Sequence, residues 1–365
     1  MKKLSLLLTA ALLSLSLAGC GAAVAPTAAP TQAVTAEQTA IAAETKADAS
    51  ETAQTEVKTA SPEMPDDETV IRVGGLKGPT TMGLVKLMDE TANGEVQNNY
   101  EFTMVTAADE LTALIAGGKV DIALLPANLA AVLYQKTEQN ISVIDINTLG
   151  VLYLVSADTS LTENSIEGLK GKTVYLPGKG TTPEYALRHL MNKAGLSDGD
   201  VTLEFKSEAT EVASILAEDP SAIGLLPQPF VTVAMTQNDK LSVVGDLSAI
   251  WDEISPDSSL VTGVTIVSNS FLAEHKELVD SFLTAHEASI QFTVQNPKTA
   301  SELIAEAGIV AKAPIALNAL DSCHIAYLDG IEMKDALSSY LNTLFEQNPA
   351  SVGAALPDDA FYYIP

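Results

Sequence analysis

The sequence predicts an α/β protein of two similar lobes joined by two hinge crossovers. From Thr69 onward, short β-rich runs alternate with amphipathic helical patterns. One strand–loop–helix unit occurs twice, and two apolar β-rich segments are placed to carry the chain from one lobe to the other and back. This alternation is typical of open sheets that are covered by helices.

Residues 1–20 have the pattern of a bacterial lipoprotein signal peptide. Lys2 and Lys3 precede an apolar run over residues 4–17, which is shorter than the roughly 20 residues that span a bilayer. The run ends in Leu-Ala-Gly-Cys, which resembles the lipobox of lipoprotein signal peptidases. We expect cleavage before Cys20 and lipidation of its thiol, which would anchor the protein on the outer face of the cell membrane.

Residues 21–67 are predicted to be a disordered tether. They consist largely of Ala, Thr, Glu, Gln and Pro and contain no aromatic residue, so they cannot bury enough apolar surface to offset the entropy of ordering. A tether of this length suits a single membrane beneath a thick wall, which favours a Gram-positive surface.

Composition excludes several classes of partner and site. A formal net charge of −27 argues against nucleic acid and against anionic membrane surfaces. Cys323 is the one cysteine left after Cys20 is lipidated, so no intrachain disulfide is expected. The four histidines lack the spacing of metal ligands, and we expect neither a metal nor another cofactor.

The first lobe is predicted to begin with three strands and two helices. A helix after Gly75 places Leu84 and Leu87 on one face, and Gly117 ends the next helix. In chain order, the expected elements are a strand over 70–73, the helix through 84–88, a strand over 101–105, a helix over 108–115 and a strand over 121–125.

An internal repeat predicts the second lobe. The loop Lys-Gly-Pro-Thr-Thr at 77–81 is echoed by Lys-Gly-Thr-Thr-Pro at 179–183, 102 residues later. Ile-Ala-Leu-Leu-Pro at 122–126 is echoed by Ile-Gly-Leu-Leu-Pro at 223–227, 101 residues later. Because the order and the spacing agree, we interpret the two halves as equivalent α/β units.

The segments 141–156 and 260–268 are apolar and β-rich, and we interpret them as the crossovers. Residues 270–344 read as helical with a break near Pro314, and 361–363 as an anchor packed on the body. The resulting boundaries assign residues 68–155 and 265–365 to lobe 1 and residues 156–264 to lobe 2.

The repeated loops indicate a ligand site between the lobes. A Thr pair with Pro at a helix start either caps the helix or presents hydroxyls and amide groups to a ligand, and the carboxyl ends of strands border the crevice of an open α/β sheet. Tyr153 and Trp251 are walls or core residues, and Lys77 and Lys179 contact an anion or solvent. The predicted ligand-binding residues are Lys77, Gly78, Pro79, Thr80, Thr81, Met82, Asn128, Tyr153, Lys179, Thr181, Thr182, Gln228 and Thr262.

From Thr69 to its end the chain resembles the solute-binding proteins of ABC importers, which have the type II periplasmic-binding-protein fold. The resemblance is carried by segments 73–83, 121–128, 178–185 and 225–230, and the branch it indicates binds nitrate, sulfonates, taurine and thiamine pyrimidines. It implies a monomer whose lobes close on a small molecule and which docks on a permease with its ATPase. The candidate loops contain no arginine to clamp a strongly acidic ligand.

Two alternatives remain open from the sequence. Some enzymes of pyrimidine-precursor synthesis share this fold and would need a catalytic His or Lys in the cleft, for which His189 is the nearest candidate. No hydrolase elbow, zinc-protease motif or phosphate-binding loop occurs in the sequence, so we expect no enzyme. The other alternative is a lipoprotein that senses a ligand without transport.

Overall fold

The structure, a computed structural model, describes residues 69–365. The predicted signal peptide, the lipidation site Cys20 and the tether over 21–67 lie outside these residues. Within them, no helix is both long enough and apolar enough to cross a bilayer. Residues 69–365 belong to one compact unit.

Eleven strands and thirteen α-helices make up the described part of the chain. The strands are β1 (Val70–Leu76), β2 (Asn99–Val105), β3 (Ile122–Pro126), β4 (Ile141–Leu149), β5 (Leu152–Ser156), β6 (Thr173–Leu176), β7 (Thr202–Phe205), β8 (Ile223–Pro227), β9 (Ser242–Asp246), β10 (Val261–Ser268) and β11 (Ile325–Leu328). The helices are α1 (Pro79–Met82), α2 (Val85–Ala92), α3 (Ala108–Ala116), α4 (Ala127–Lys136), α5 (Thr182–Lys193), α6 (Ala209–Glu218), α7 (Phe230–Gln237), α8 (Leu247–Ile254), α9 (Asn269–Glu274), α10 (Lys276–Gln295), α11 (Pro297–Glu306), α12 (Ala313–Ala319) and α13 (Gly330–Gln347).

The strands form two sheets with the same internal plan. The first sheet has the order β11–β4–β10–β3–β1–β2, and the second has the order β7–β6–β8–β5–β9. In the first, β2, β1 and β3 are parallel and β10 runs antiparallel between β3 and β4. In the second, β7, β6 and β8 are parallel and β5 runs antiparallel between β8 and β9. The predicted α/β fold with two equivalent lobes is confirmed.

The chain crosses between the sheets at two places. It leaves the first sheet after β4 and enters the second at β5, through Gly150 and Val151, and it returns between α8 and β10, through residues 255–260. The predicted lobe boundaries, 155/156 and 264/265, fall inside β5 and β10. The division of the chain into domains at these residues stays a prediction.

Helix α1 and strand β11 differ from the sequence-based expectation. The helix expected through residues 84–88 is split into α1, which is a single turn, and α2, because Gly83 and Leu84 lie between them. The break expected near Pro314 is present at residues 307–312, between α11 and α12, and Pro314 itself lies in the first turn of α12, where a missing amide costs nothing. The strand β11 was not predicted, and it extends the first sheet beside β4.

A buried polar chain fixes the register of β4 against β10. Asp145 accepts a hydrogen bond of 2.7 Å from the hydroxyl of Thr265 and lies 3.1 Å from Nδ1 of His286, and the Asp145 and His286 side chains are fully buried. Asn147 in turn donates to Thr265 Oγ1 at 3.1 Å. Because unpaired polar groups in a core are costly, this chain holds the two strands at one alignment and thereby sets the position of Thr262 and Gly263.

One hydrophobic cluster contains residues of both sheets. Trp251 on α8 lies between His189 and Tyr340, with ring centroids 4.4 and 5.6 Å away, and its indole donates to the carbonyl of Ser258 at 3.0 Å. Trp251 is therefore a core residue rather than a wall of the ligand site. The expected C-terminal anchor is confirmed, because Phe361 is fully buried against other core residues.

Candidate ligand-binding cleft

A cavity of about 320 Å³ lies where the carboxyl ends of the parallel strands of the two sheets face each other. Its walls are the loops that follow β1 and β2 in the first lobe and β6 and β7 in the second, together with the ends of β3 and β8. This is the crevice position expected for ligands of open α/β sheets, and the volume lies at the lower end of the range for small-molecule sites.

Two threonine hydroxyls in the cavity wall are buried without a partner. Thr80 is 5% exposed and Thr262 is 7% exposed, and neither Oγ1 has a hydrogen-bond partner among residues 69–365. Both residues line the cavity. A buried hydroxyl without a partner costs about 1–3 kcal/mol, so a polar ligand that reaches both would recover this free energy.

Gly263 allows the turn that carries Thr80 to approach β10 closely. A Cβ atom at this position would lie 2.5 Å from Cγ2 of Thr80 and 2.5 Å from Oδ1 of Asn147. No real side chain tolerates such contacts, so the absence of a side chain on Gly263 lets the turn that carries Thr80 pack directly on β10. The buried polar chain of β4 and β10 therefore also positions the ligand site.

Each lobe contributes one ionisable side chain to the cavity. Lys77 comes from the first lobe and Glu208 from the second. In the part of the chain that the structure describes, neither forms a salt bridge, although the hydroxyl of Thr210 donates to Glu208 at 3.1 Å. A ligand in the cavity therefore meets one positive and one negative group on opposite sides.

The second-lobe loop is held by its own hydrogen bonds. Thr181 donates through Oγ1 to the carbonyl of Gly178 at 2.7 Å, and the amide of Gly180 donates to Glu184 at 2.8 Å. Gly178 and Gly180 have φ of 74° and 77°, values that favour glycine. Thr181 and Thr182 both line the cavity, but their hydroxyls have partners within the protein.

The structure brings seven of the predicted residues together and places six elsewhere. Those that line the cavity are Lys77, Gly78, Pro79, Thr80, Thr181, Thr182 and Thr262, and those that do not are Thr81, Met82, Asn128, Tyr153, Lys179 and Gln228. Contact of any of them with a ligand stays a prediction.

Three of the six have internal roles near their own loops. Thr81 donates to the carbonyl of Leu76 at 2.6 Å and so closes the turn that presents Thr80. Met82 is fully buried, with its sulfur 3.7 Å from that of Cys323. Gln228 accepts from the amide and hydroxyl of Thr232, at 3.2 and 3.0 Å, and so caps α7.

Two others connect the lobes. Asn128 on α4 donates to the carbonyls of Gly180, at 3.1 Å, and Ser351, at 3.0 Å. Tyr153 on β5 donates to the carbonyl of Ser322 at 3.0 Å. The sixth, Lys179, is exposed, with its ammonium 5.7 Å from the centre of the Phe205 ring.

Sequence reasoning missed the loops after β2 and β7. Thr106 and Ala107 line the cavity from the first lobe, and Ser207 and Glu208 line it from the second. The signal was available, because Thr106 and Ser207 are 101 residues apart, the same offset as the repeated strands. Phe230 and Ile309, which also line the cavity, carry no such signal.

His189, the candidate catalytic histidine, does not line the cleft. Its Nε2 lies 2.9 Å from the hydroxyl of Ser255, and its ring lies against Trp251. Burial, with the nearby positive charge of Lys193, lowers the pKa of His189 to about 4. The imidazole is therefore neutral near pH 7.

Comparisons with known proteins agree with the geometry. A family model described as "NMT1/THI5 like" matches residues 100–300. An ABC transporter structure from Parabacteroides distasonis has a TM-score of 0.67 at 27% identity and covers 82% of this chain and 99% of its own. The periplasmic aliphatic sulphonate binding protein SsuA from Escherichia coli has a TM-score of 0.64 at 15% identity over 81% of this chain and 92% of its own, a likeness of fold.

A curated relative matches a shorter stretch. The riboflavin-binding protein RibY of Chloroflexus aurantiacus is 26% identical over 141 residues, which are 38% of this chain and 37% of that protein. The match thus spans little more than a third of the relative's length.

A substitution by valine is expected to raise the free energy of unfolding at Thr80 and Thr262 and to lower it at Thr81. Thr80→Val and Thr262→Val each remove an unpartnered buried hydroxyl and should raise the free energy of unfolding of the ligand-free protein by about 1 kcal/mol. Thr81→Val, the matched control, removes the hydrogen bond to Leu76 and should lower it by about 1 kcal/mol. Urea unfolding of protein stripped of ligand measures all three, and a loss of stability in all three would contradict the assignment.

His189 is expected to make stability depend on pH below neutrality. Its folded pKa of about 4 lies below the unfolded value of about 6.5, so the unfolded chain binds more protons as the pH falls from 6.5 to 4. The stabilisation is present above pH 6.5 and is lost through this window, by about 3 kcal/mol. Urea unfolding at pH 7 and pH 4.5 should show a smaller loss for His189→Gln than for the wild type, and equal losses would refute this origin.

Proposed function

Because this chain belongs to the NMT1/THI5-like family, we propose that it is the extracytoplasmic solute-binding protein of an ABC importer. Its two lobes enclose a small organic solute and deliver it to a permease and its ATPase. The observation that carries the proposal is the pair of unpartnered hydroxyls, Thr80 and Thr262, in a cavity between the sheet ends. Likeness over most of the chain to an ABC transporter structure supports the same role.

The cavity chemistry narrows the solute. Prolines, alanines and Phe230 give the wall apolar surface, and the two hydroxyls provide neutral hydrogen bonds. Lys77 and Glu208 suit a molecule with an acidic or electron-rich group at one end and a donor group at the other. Among residues 69–365, no arginine lines the cavity. We therefore infer a small zwitterion or a polar heterocycle, on the scale of taurine or a substituted pyrimidine, rather than a bare anion.

Transport would proceed by closure of the lobes. A hinge at the two crossovers lets the lobes separate and close on the solute. Binding at micromolar strength needs about 8 kcal/mol, which several hydrogen bonds in a dehydrated cavity supply together with apolar burial. The closed form then presents one composite surface of both lobes to the permease.

Lipidation of Cys20 would keep the protein near that permease. The signal peptide pattern of residues 1–20 and the length of the tether over 21–67 support this arrangement. A tether raises the effective concentration of the solute-loaded protein at the membrane without adding any contact.

The two equivalent lysines are expected to differ in their effect on solute binding. Native mass spectrometry of protein purified without unfolding identifies the solute, and calorimetry gives its affinity for the stripped protein. Lys77→Met should weaken binding about tenfold, because losing one charge-assisted hydrogen bond costs about 1.5 kcal/mol. Lys179→Met, at the equivalent position outside the cavity, should leave the affinity unchanged. The solute should also be recovered without chemical change.

If no solute co-purifies, thermal-shift measurements replace the calorimetry. The compounds tested are taurine, ethanesulfonate, a hydroxymethyl aminopyrimidine and riboflavin. Stabilisation of the wild type and of Lys179→Met, but less of Lys77→Met, supports the proposal. Equal effects of the two lysine substitutions, or turnover of the bound compound, argue against it.

Cys20→Ser is expected to abolish lipidation. Metabolic labelling with an alkyne fatty acid should mark the wild type but not the variant, because a serine hydroxyl does not form the thioether. Fractionation should move the variant from the membrane to the soluble fraction. Labelling of Cys20→Ser at the wild-type level would show that the lipid is attached elsewhere.

A further inference from the structure

A second cavity lies between α5 and α13, away from the cleft. It is a groove of about 570 Å³ whose walls are these two helices and whose floor is the crossover segment after α8, residues 255–258. Among the described residues, none that lines this groove also lines the cleft. We refer to it as the hinge groove, because it contains one of the two crossovers.

The hinge groove has the same signature as the cleft, namely buried polar atoms without a partner. Ser258 is 9% exposed, and its hydroxyl has no hydrogen-bond partner among residues 69–365. Gln347 is of intermediate exposure, and its Oε1 likewise has no hydrogen-bond partner among these residues; both residues line the groove. Such atoms are rare in folded proteins, since burying a polar group without a partner costs free energy. Two of them in one groove indicate a polar occupant.

Neutral hydrogen-bonding groups dominate the groove. Amides come from Asn192, Asn342 and Gln347, and hydroxyls from Ser339 and Thr343. Ser339 and Thr343 already donate to backbone carbonyls, at 2.7 and 3.1 Å, so their oxygens remain available as acceptors. The amides supply both donors and acceptors.

The charged groups of the groove exclude an anion. Lys193 is opposed by Asp257 and Glu346, all three of them exposed at the rim. His189 also faces the groove and is neutral near pH 7, since burial lowers its pKa to about 4. The net field is weak and slightly negative.

We propose that the hinge groove binds a small, uncharged, polyhydroxylated molecule such as a monosaccharide or a sugar alcohol. Each hydroxyl of such a molecule donates and accepts at once, which matches a wall of amides and hydroxyls. The occupant completes the hydrogen bonds of Ser258 and Gln347. This site is separate from the proposed transport cleft and does not depend on it.

Occupation of the groove stabilises the closed arrangement of the lobes. The groove is bounded by α5 of the second lobe, by α13, which packs on strands of the first, and by the crossover between them. An occupant that bonds to all three therefore favours the arrangement in which they are close together. By linkage, it raises affinity at the cleft, and the cleft solute raises affinity at the groove.

Saturation-transfer NMR with D-glucose, sorbitol and N-acetylglucosamine tests the site on the full mature chain. Thr343→Leu narrows the groove, and Thr284→Leu is its matched control, because both hydroxyls donate to the carbonyl four residues earlier at 3.1 Å and Thr284 lies on the exposed face of α10. Ser258→Ala removes the unpartnered hydroxyl and should raise the Tm of the ligand-free protein by about 2 °C.

The expected result is saturation transfer to at least one of the three probes in the wild type and in Thr284→Leu, with loss in Thr343→Leu and in Ser258→Ala. The loss in Ser258→Ala, alongside its higher Tm, separates binding from a structural role. Equal signals in the wild type and Thr343→Leu, or none with any probe in the wild type, would overturn the proposal. Lys77→Met should leave the signal intact, so failure at the cleft and failure at the groove are distinguishable.

Discussion

The amide side chain of Asn128 joins the parts of the chain that enclose the cleft. It extends from the first turn of α4 to the carbonyl of Gly180 in the second lobe and to that of Ser351 near the C-terminus. Asn128 is fully buried, so its donors have no water to turn to. The contact fixes the distance between the end of β3 and the loop before α5. The cavity described above belongs to this arrangement of the two lobes.

The candidate ligand site contains buried hydroxyl groups that form no hydrogen bond within the described part of the folded protein. Thr80 and Thr81 are neighbours of the same type in the same turn, yet the Thr81 hydroxyl closes the turn and the Thr80 hydroxyl is buried beside the cavity without a partner. The Thr80 hydroxyl lies near β10, which the hydrogen bonds from Asp145 to Asn147 hold against β4. The unpartnered hydroxyl lowers the stability of the folded protein, but it provides a binding group that is already in position.

The sequence was sufficient to predict the two-lobed fold and the end of each sheet at which the cavity lies, because a repeat at a constant offset implies equivalent positions. It could not separate Thr80 from Thr81, since the direction of a side chain in a one-turn helix depends on the packing against Gly263. It also treated Lys77 and Lys179 as equivalent. They differ because Phe205 lies beside Lys179, and this depends on contacts between loops that are distant in the chain. The strand β11 was missed because four residues beside a sheet edge carry too little pattern to stand out among helices.

The helix α5 connects the two cavities. Thr182, its first residue, lines the cleft, and His189 lines the hinge groove. Seven residues of α-helix separate them by about 10 Å, and α5 packs on the core through Leu187 and Leu190. A ligand at either end therefore acts on the position of the same element. If both ligands favour the same position, each must strengthen the other's binding by the same factor. The affinity of the cleft for its solute would then be regulated by occupation of the hinge groove, with no change in the residues of the cleft itself.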